Sequence, residues 1–396
     1  MDRRLFVLAL GMFAMGTDNF VVAGILPNVA DSLQTTVGVA GQMVTIYALS
    51  FALLAPVVAA LAGSWPRKTL LVLALAVFVV GNAIGAMAGT LNVLLLTRAL
   101  AGLGAAMFSP TALGAAASLV EPERRGRALS TVTAGLAGAT ALGAPIGTYI
   151  GGFGGWRGTL WFVAALGSVA TVGVWTMLRA VPQPPRVTLH ERIAPIHDAR
   201  VALTLVTTLL AYGGFLMVYT YAGLTFERVT NGDGKVLAGM LLLWGIAATA
   251  GNLLSGRLVD HFGSRRIINA ALIAACMNFA ILPWTSANMA TALASLAVWG
   301  FCGWGLLVPQ QHRLVMIAPH TAPLLLALNN TATYTGLACS ALIGGIALHF
   351  INAHDLGFLG AVFIGFALLI AEMAFARIKE RPVSVSDAPT PDPVVD

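Results

Sequence analysis

Gly256-Arg257-Leu258-Val259-Asp260-His261-Phe262-Gly263-Ser264-Arg265-Arg266 sets two glycines, one carboxylate and a closing basic pair between two long apolar runs. Because apolar residues resume on both sides, the segment reads as a tight turn joining two membrane-crossing helices at a water-facing end. Half a chain length earlier, Gly63-Ser64-Trp65-Pro66-Arg67-Lys68 holds the matching place after another apolar run. A unit that returns at half the chain length predicts an architecture built twice over.

The composition agrees. Of 396 residues, 58% are hydrophobic and 10% charged, whereas soluble domains carry about a quarter charged residues. Forty-three glycines suit helices that must approach closely in lipid, where no hydrophobic drive brings them together. A helix needs about 20 apolar residues to cross the hydrocarbon. Twelve stretches qualify: 5–26, 41–62, 69–90, 93–118, 128–150, 158–179, 201–222, 236–256, 266–285, 288–310, 323–348 and 356–376. The first follows Arg3 and Arg4 as a signal peptide would, but it is too long for one and no small-residue cleavage site follows.

With the N-terminus cytoplasmic, eighteen lysines and arginines fall on that side and three, Arg157, Arg228 and Lys235, on the other; Arg98 lies within a span. This bias orients the chain in a cell inner membrane with both termini cytoplasmic, and it supports an even number of crossings. The net charge of +6 is therefore a topology signal, and no nucleic-acid partner is expected. Pro182, Pro184, Pro185 and Pro195 mark residues 181–200 as a cytoplasmic linker between an N-terminal six-helix bundle, 1–180, and a C-terminal one, 201–378. Residues 379–396, rich in proline and aspartate, read as a disordered tail. The expected fold class is all-α integral membrane, twelve helices in two pseudo-symmetric bundles.

Residues 256–266 resemble the loop signature of the major facilitator superfamily, G-x-x-x-D-x-x-G-x-R-R. The copy at Gly63–Lys68 departs from it, with Gly63 at the carboxylate position and Pro66 at the second glycine. Leu96-Thr97-Arg98-Ala99-Leu100-Ala101-Gly102 is similar to the family's fourth-helix motif. Gly143-Ala144-Pro145-Ile146-Gly147, followed by Gly155-Trp156-Arg157, is similar to the fifth-helix motif of proton-driven antiporters. Asp18 to Pro27 is similar to the first-helix motif of drug and sugar efflux members, which often carry Thr-Glu-Phe where this chain has Asp18-Asn19-Phe20. The resemblance implies the twelve-helix drug:proton antiporter branch, including the sugar-efflux and chloramphenicol-resistance permeases. It implies conformational gating by Gly256, Asp260, Gly263, Arg265 and Arg266 in the loop, and by Gly143, Pro145 and Gly147 in the fifth span.

Of the acidic residues, only Asp18 lies deep within a span, where an ionised group is costly and functional by default. Burial favours a carboxylate's neutral form and a nearby cation its charged form, so a carboxyl there suits proton loading and release. At 1.5 Å rise per residue, Asp18 lies about 12 Å and Arg98 about 9 Å from the outer ends of their spans. The two are expected to meet directly or through water as the proton-coupling pair. A purely structural role remains open for each. The exchange reading further requires that the Asp18 carboxyl have a route to an aqueous face.

Asn19, Tyr47, Tyr212, Phe215, Tyr219, Asn329, Asn330 and Tyr334 are the candidate substrate contacts, since aromatic walls with a few polar groups suit amphipathic ligands. Packing is the competing explanation for each aromatic. No His/Cys or Ser/His/Asp constellation appears, so no enzyme, metal or cofactor is expected; the proton gradient would supply the energy. The partners expected are a small-molecule substrate, protons and the lipid bilayer, with a monomeric chain. Expected function is proton-coupled efflux of a small amphipathic compound such as a drug or sugar by alternating access. Proton symport or facilitated uptake of a nutrient is the alternative.

Overall fold

The structure, a computed structural model, describes residues 3–62, 65–121, 124–178, 181 and 188–380. Gly63, Ser64, Arg179, residues 182–187 of the expected linker, among them Arg186, and the tail from 381 onward lie outside the described residues. Helix α1 covers Arg3–Ser32, α2 Gln42–Leu61, α3 Arg67–Ala86 and α4 Leu91–Ser118. Helix α5, Arg125–Gly138, runs through a widened turn at Ala139–Gly143 into α6, Ala144–Met177. The second half comprises α7 (Ala199–Thr220), α8 (Gly234–Phe262), α9 (Ser264–Ala280), α10 (Met289–Gly305), α11 (Leu307–Ile317), α12 (Ala322–Ala347) and α13 (Leu356–Glu380).

Nine stretches among the described residues are long and apolar enough to cross a membrane. One of them, Arg125–Met177, is 53 residues long and carries two expected spans, 128–150 and 158–179. Gly155 reverses its direction with φ 68° and ψ 170°, a backbone that only glycine adopts freely. Two other expected spans fall on α9, which has 17 residues before the short turn Leu282–Thr285, and on α12. Two of the threonines of α12 are satisfied locally: Thr333 Oγ1 donates to the Asn329 carbonyl at 3.0 Å and Thr335 Oγ1 to that of Thr331 at 2.8 Å. A hydroxyl satisfied by its own helix can face lipid or protein without stranding a donor. The described helices thus supply the twelve expected crossings in two bundles.

Polar caps set the water-facing ends. The Thr90 side chain accepts from Val93 N at the start of α4, Asp233 from Lys235 N at α8, and Asn288 from Ala290 N at α10, each satisfying an otherwise orphan donor. Packing then follows the glycines. A Cβ on Gly135 would come within 2.0 Å of the Ala9 carbonyl, and one on Gly147 within 2.4 Å of Val21. Helix α1 therefore lies directly on the backbone of α5 and α6. The widened turn at Ala139–Gly143 precedes Pro145, whose ring cannot accept a regular helix turn before it.

The two halves meet at the end opposite the N-terminus. There, Gly38 and Gly345 pack backbone to backbone, a Cβ on Gly38 falling 2.6 Å from the Gly345 carbonyl. The Lys235 ammonium lies 4.4 Å over the Phe153 ring, and Gly223 packs on Pro27. At the end bearing Arg3 and Arg125, the N-terminal half carries a hollow of about 530 Å3 lined by Leu5, Leu119, Val120, Glu121, Arg124, Arg127, Ala128 and Thr131. The end with the N-terminus is called the basic side below, the other the far side.

Candidate functional site

Asp18, midway along α1, and Arg98, in the second turn of α4, form a buried ion pair. Arg98 Nη1 donates to Asp18 Oδ1 at 2.8 Å and Nη2 to Oδ2 at 2.9 Å. Charge-assisted forked bonds of this kind are about twice as strong as neutral ones and fix direction. Asn82 of α3 adds a third ligand: its Nδ2 donates to the Phe78 carbonyl at 3.1 Å, which turns Oδ1 to accept from Arg98 Nη1 at 3.3 Å. The Tyr47 ring covers the guanidinium at 4.8 Å. One apolar bundle thus holds a cation, its counter-ion and a π face in a single layer.

The helices around the pair bracket it tightly. A Cβ on Gly143 would lie 2.0 Å from Thr17 Oγ1, and Gly147 meets Val21, so the fifth-span glycines grip α1 on both sides of Asp18. Asp18 is 0% exposed and Arg98 2%. In this state the carboxyl has no contact with water, and the route to an aqueous face that proton exchange requires is closed.

Beside this layer lies a cavity of about 70 Å3 between the halves. Asn19, Phe20 and Leu136 line it from the first half; Tyr212, Phe215, Leu216, Trp244, Trp299, Gly303, Trp304, Leu307, Asn330, Thr333, Tyr334 and Leu337 line it from the second. Phe20 packs on rings of the second half, 5.6 Å from Tyr219, 5.8 Å from Trp304 and 6.3 Å from Trp244. Tyr212 donates its hydroxyl to the Gly303 carbonyl at 3.3 Å. Tyr334 stacks on Phe51 at 3.7 Å. Asn330 is exposed at the cavity lining.

Of the expected substrate contacts, Asn19, Tyr212, Phe215, Asn330 and Tyr334 line this cavity and Tyr47, Tyr219 and Asn329 do not. Tyr47 belongs to the ion-pair layer because α2 turns it onto Arg98. Tyr219 backs the cavity wall, its hydroxyl donating to the Phe20 carbonyl at 3.0 Å. Asn329 faces α7, accepting from Thr208 Oγ1 at 2.8 Å; a step of about 100° around the helix separates it from Asn330.

The loop residues are disposed differently. Gly263 ends α8 with φ 78°, and a Cβ on Gly256 would meet nothing. Asp260 and Arg266 are exposed. Arg265 forms an ion pair with Glu372 of α13, its Nε lying 3.3 Å from Oε1, and Asn269 binds the same carboxylate. Glu372, explicable from sequence as a snorkelling end residue, is thus a cross-link between α9 and α13. Nearby, Arg313 is buried with its guanidinium 3.8 Å over the Phe375 ring; its nitrogens and both polar atoms of Gln310 have no hydrogen-bond partner among the described residues.

Sequence reasoning missed Asn82, Phe20 and the tryptophans 244, 299 and 304. A lone asparagine in the third span and three tryptophans within the eighth and tenth spans were the available signals.

The sequence profile of the Major Facilitator Superfamily matches residues 8–341. The chain is 28% identical over 372 residues to YbcL, an uncharacterised MFS-type transporter of Bacillus subtilis, covering 94% of this chain and 95% of that one. It is 28% identical to the inner membrane transport protein YdhP of Escherichia coli K12, covering 97% and 98%. A chloramphenicol resistance protein of Streptomyces lividans is 35% identical over 264 residues, 65% of this chain and 67% of that one. In fold the structure is similar to a point mutant of the nucleoside transporter NupG, with TM-score 0.74 at 12% identity over 94% of this chain and 98% of that one. It is also similar to a bacterial homologue of the lysosomal transporter Spinster in an inward-facing, unoccupied conformation, with TM-score 0.73 at 16% identity over 95% and 97%.

Proposed function

This chain belongs to the major facilitator superfamily and is a multi-pass membrane transporter, and we propose that it exports a small amphipathic organic compound in exchange for protons. The observation that carries the reading is the forked Asp18–Arg98 pair, placed one residue along α1 from the cavity-lining Asn19. The similarity to a chloramphenicol resistance protein supports export of a drug-like compound.

The proposed cycle uses the pair as a proton-operated clasp. With Asp18 ionised, its two oxygens hold Arg98 and tie α1 to α4. Protonation removes the counter-charge, and a buried guanidinium then needs other partners. Asn82 and the Tyr47 face already touch Arg98 and would hold it, so α1 is freed to move with its flanking glycines. In the present state the far side is closely packed and Asp18 is sealed. In the proposed cycle this is the stage after proton release, and substrate enters from the basic side, which the basic-residue bias reads as the cytoplasm of a cell with the protein in its inner membrane. The coupling needs no cofactor, and a monomer suffices.

Proteoliposomes with an inside-acid pH gradient test the proposal. Addition of a transported compound should dissipate the gradient, and Asp18→Asn, at a temperature below its lowered thermal midpoint, should abolish that response. Dissipation of equal size by the variant would rule the pair out as the coupling element.

A further inference from the structure

Taking Asp18 as the proton carrier, as the proposed function does, we infer that Tyr334 is the gate between this carboxyl and the cavity. Stacked on Phe51, its ring keeps cavity water from Asp18; displaced by a solute, it lets that water in. Proton exchange is thereby made conditional on the solute.

Tyr334 belongs to both regions. From α12 it lines the cavity together with Asn330, Thr333 and Leu337. Its ring lies 3.7 Å from that of Phe51, at an interplanar angle of 20°. Among the described residues it is the one second-half side chain packed into the buried apolar cluster of Val21, Tyr47 and Phe51. Tyr47 precedes Phe51 by one helical turn, so the two side chains share a face of α2, and the Tyr47 ring lies 4.8 Å from the Arg98 guanidinium. Rings thus lead from the cavity wall to the ion pair. The Asp18 carboxylate is near enough to act electrostatically on the hydroxyls of both Tyr47 and Tyr334.

This run of rings bars protons because of what it lacks. A proton moves between groups within hydrogen-bond reach of each other or of a shared water, and an internal water needs both room and several polar partners. Two ring faces in contact provide neither. Phe51 is 3% exposed and Asp18 0%, which accounts for the closed route in the present state. Behind the stack the conditions reverse. Tyr47 Oη, without a hydrogen-bond partner among the described residues, and the Asp18 carboxylate are polar groups that can hold water once the rings part.

The size of the cavity makes the gate answer to solute. At about 70 Å3 the cavity is smaller than ordinary ligand pockets of about 300–1,000 Å3, so a solute must push its lining aside. Tyr334 is a lining residue from one half whose ring rests on the other half. A solute that fits only the enlarged cavity binds only the parted state and shifts the population toward it. Without solute the rings stay together, Asp18 keeps its charge state, and the gradient is not dissipated idly.

A water-soluble carbodiimide with glycine ethyl ester modifies carboxyls that water reaches. On the purified full chain, its rate at Asp18, read by mass spectrometry of that peptide, reports access without relying on transport. Tyr334→Ala and Phe51→Ala break the stack from either half, so one serves if the other does not fold. Each should speed the modification about tenfold, as a drop of about 1.4 kcal/mol in the cost of local opening gives. Tyr334→Phe, which keeps the ring, and Leu337→Ala, which enlarges the cavity from the same helix and leaves both rings in place, should keep the wild-type rate. Wild-type rates in the folded alanine variants, or an equal rise in Tyr334→Phe or Leu337→Ala, overturn the inference. In proteoliposomes, Tyr334→Ala should dissipate an inside-acid gradient with no solute added, and Asp18→Asn in that background should stop the leak. Faster modification without any leak would sink proton exchange at Asp18 and leave the barrier standing. Solute-driven dissipation by the wild type, with modification unchanged in the alanine variants, would sink the barrier and leave the exchange standing.

Discussion

Arg98 reaches Asp18 across eighty positions of sequence and holds both its oxygens, at 2.8 and 2.9 Å, with the Tyr47 ring 4.8 Å from the guanidinium. Neither charge touches solvent. The pair is thus both a fastener between α1 and α4 and a place where one proton changes the balance of buried charge.

Because each partner is buried, removing one strands the other. Asp18→Asn should lower stability by about 3–5 kcal/mol, read as a fall in thermal midpoint. Asp18→Asn with Arg98→Gln, which removes both charges, should recover much of the loss. A double variant no more stable than the single one would show that the ion pair is not what holds α1 to α4.

Helix α1 rests on glycine at Gly143, where a Cβ would fall 2.0 Å from Thr17 Oγ1, whereas Gly256 faces open space. Gly143→Ala should cost about 1–3 kcal/mol through overpacking and slow transport; Gly256→Ala should do neither. Equal thermal midpoints for the two variants would contradict the close packing.

On the far side, a Cβ on Gly234 would lie 3.8 Å from the Gly152 Cα, bringing the two halves within reach of a disulfide. Gly152→Cys with Gly234→Cys should stop transport on oxidation and restore it on reduction. Undiminished transport by the fully oxidised protein would show that this closure does not open during the cycle.

Arg200 binds Asp198 at the start of α7, with Nη2 to Oδ2 at 2.8 Å, and these bonds hold the Asp198 carboxyl below its ordinary range. A depressed folded-state value means that the stabilisation is present above the unfolded pKa, about 4, and fades as pH falls through the lower folded value. The thermal midpoints of the wild type and Asp198→Asn should therefore differ at pH 7 and converge on acidification below about pH 4. A gap that stays constant with pH would remove Asp198 from the acid response.

Glu372 joins Arg265 and Asn269 and lies in the field of Arg313. Glu372→Gln should loosen α9 from α13 and leave buried Arg313 without a nearby carboxylate, lowering the thermal midpoint more than Asp260→Asn at an exposed position. The opposite ranking would argue that the carboxylate only anchors a helix end.

The crossings, the doubling and the lone buried acid were legible in sequence because each is a local or additive property. Twenty apolar residues commit a segment to lipid whatever its neighbours do, and a carboxylate in such a segment is conspicuous for the same reason. Asp18 and Arg98 were linked by depth alone, which helix rise fixes. Which polar residues share a cavity depends on how each helix is rotated and what it packs against, and no local property sets that. The rotation that places Asn330 in the cavity sends Asn329 to Thr208, and α2 gives Tyr47 to Arg98. The aromatic wall around Phe20 exists only because the two halves are pressed together there.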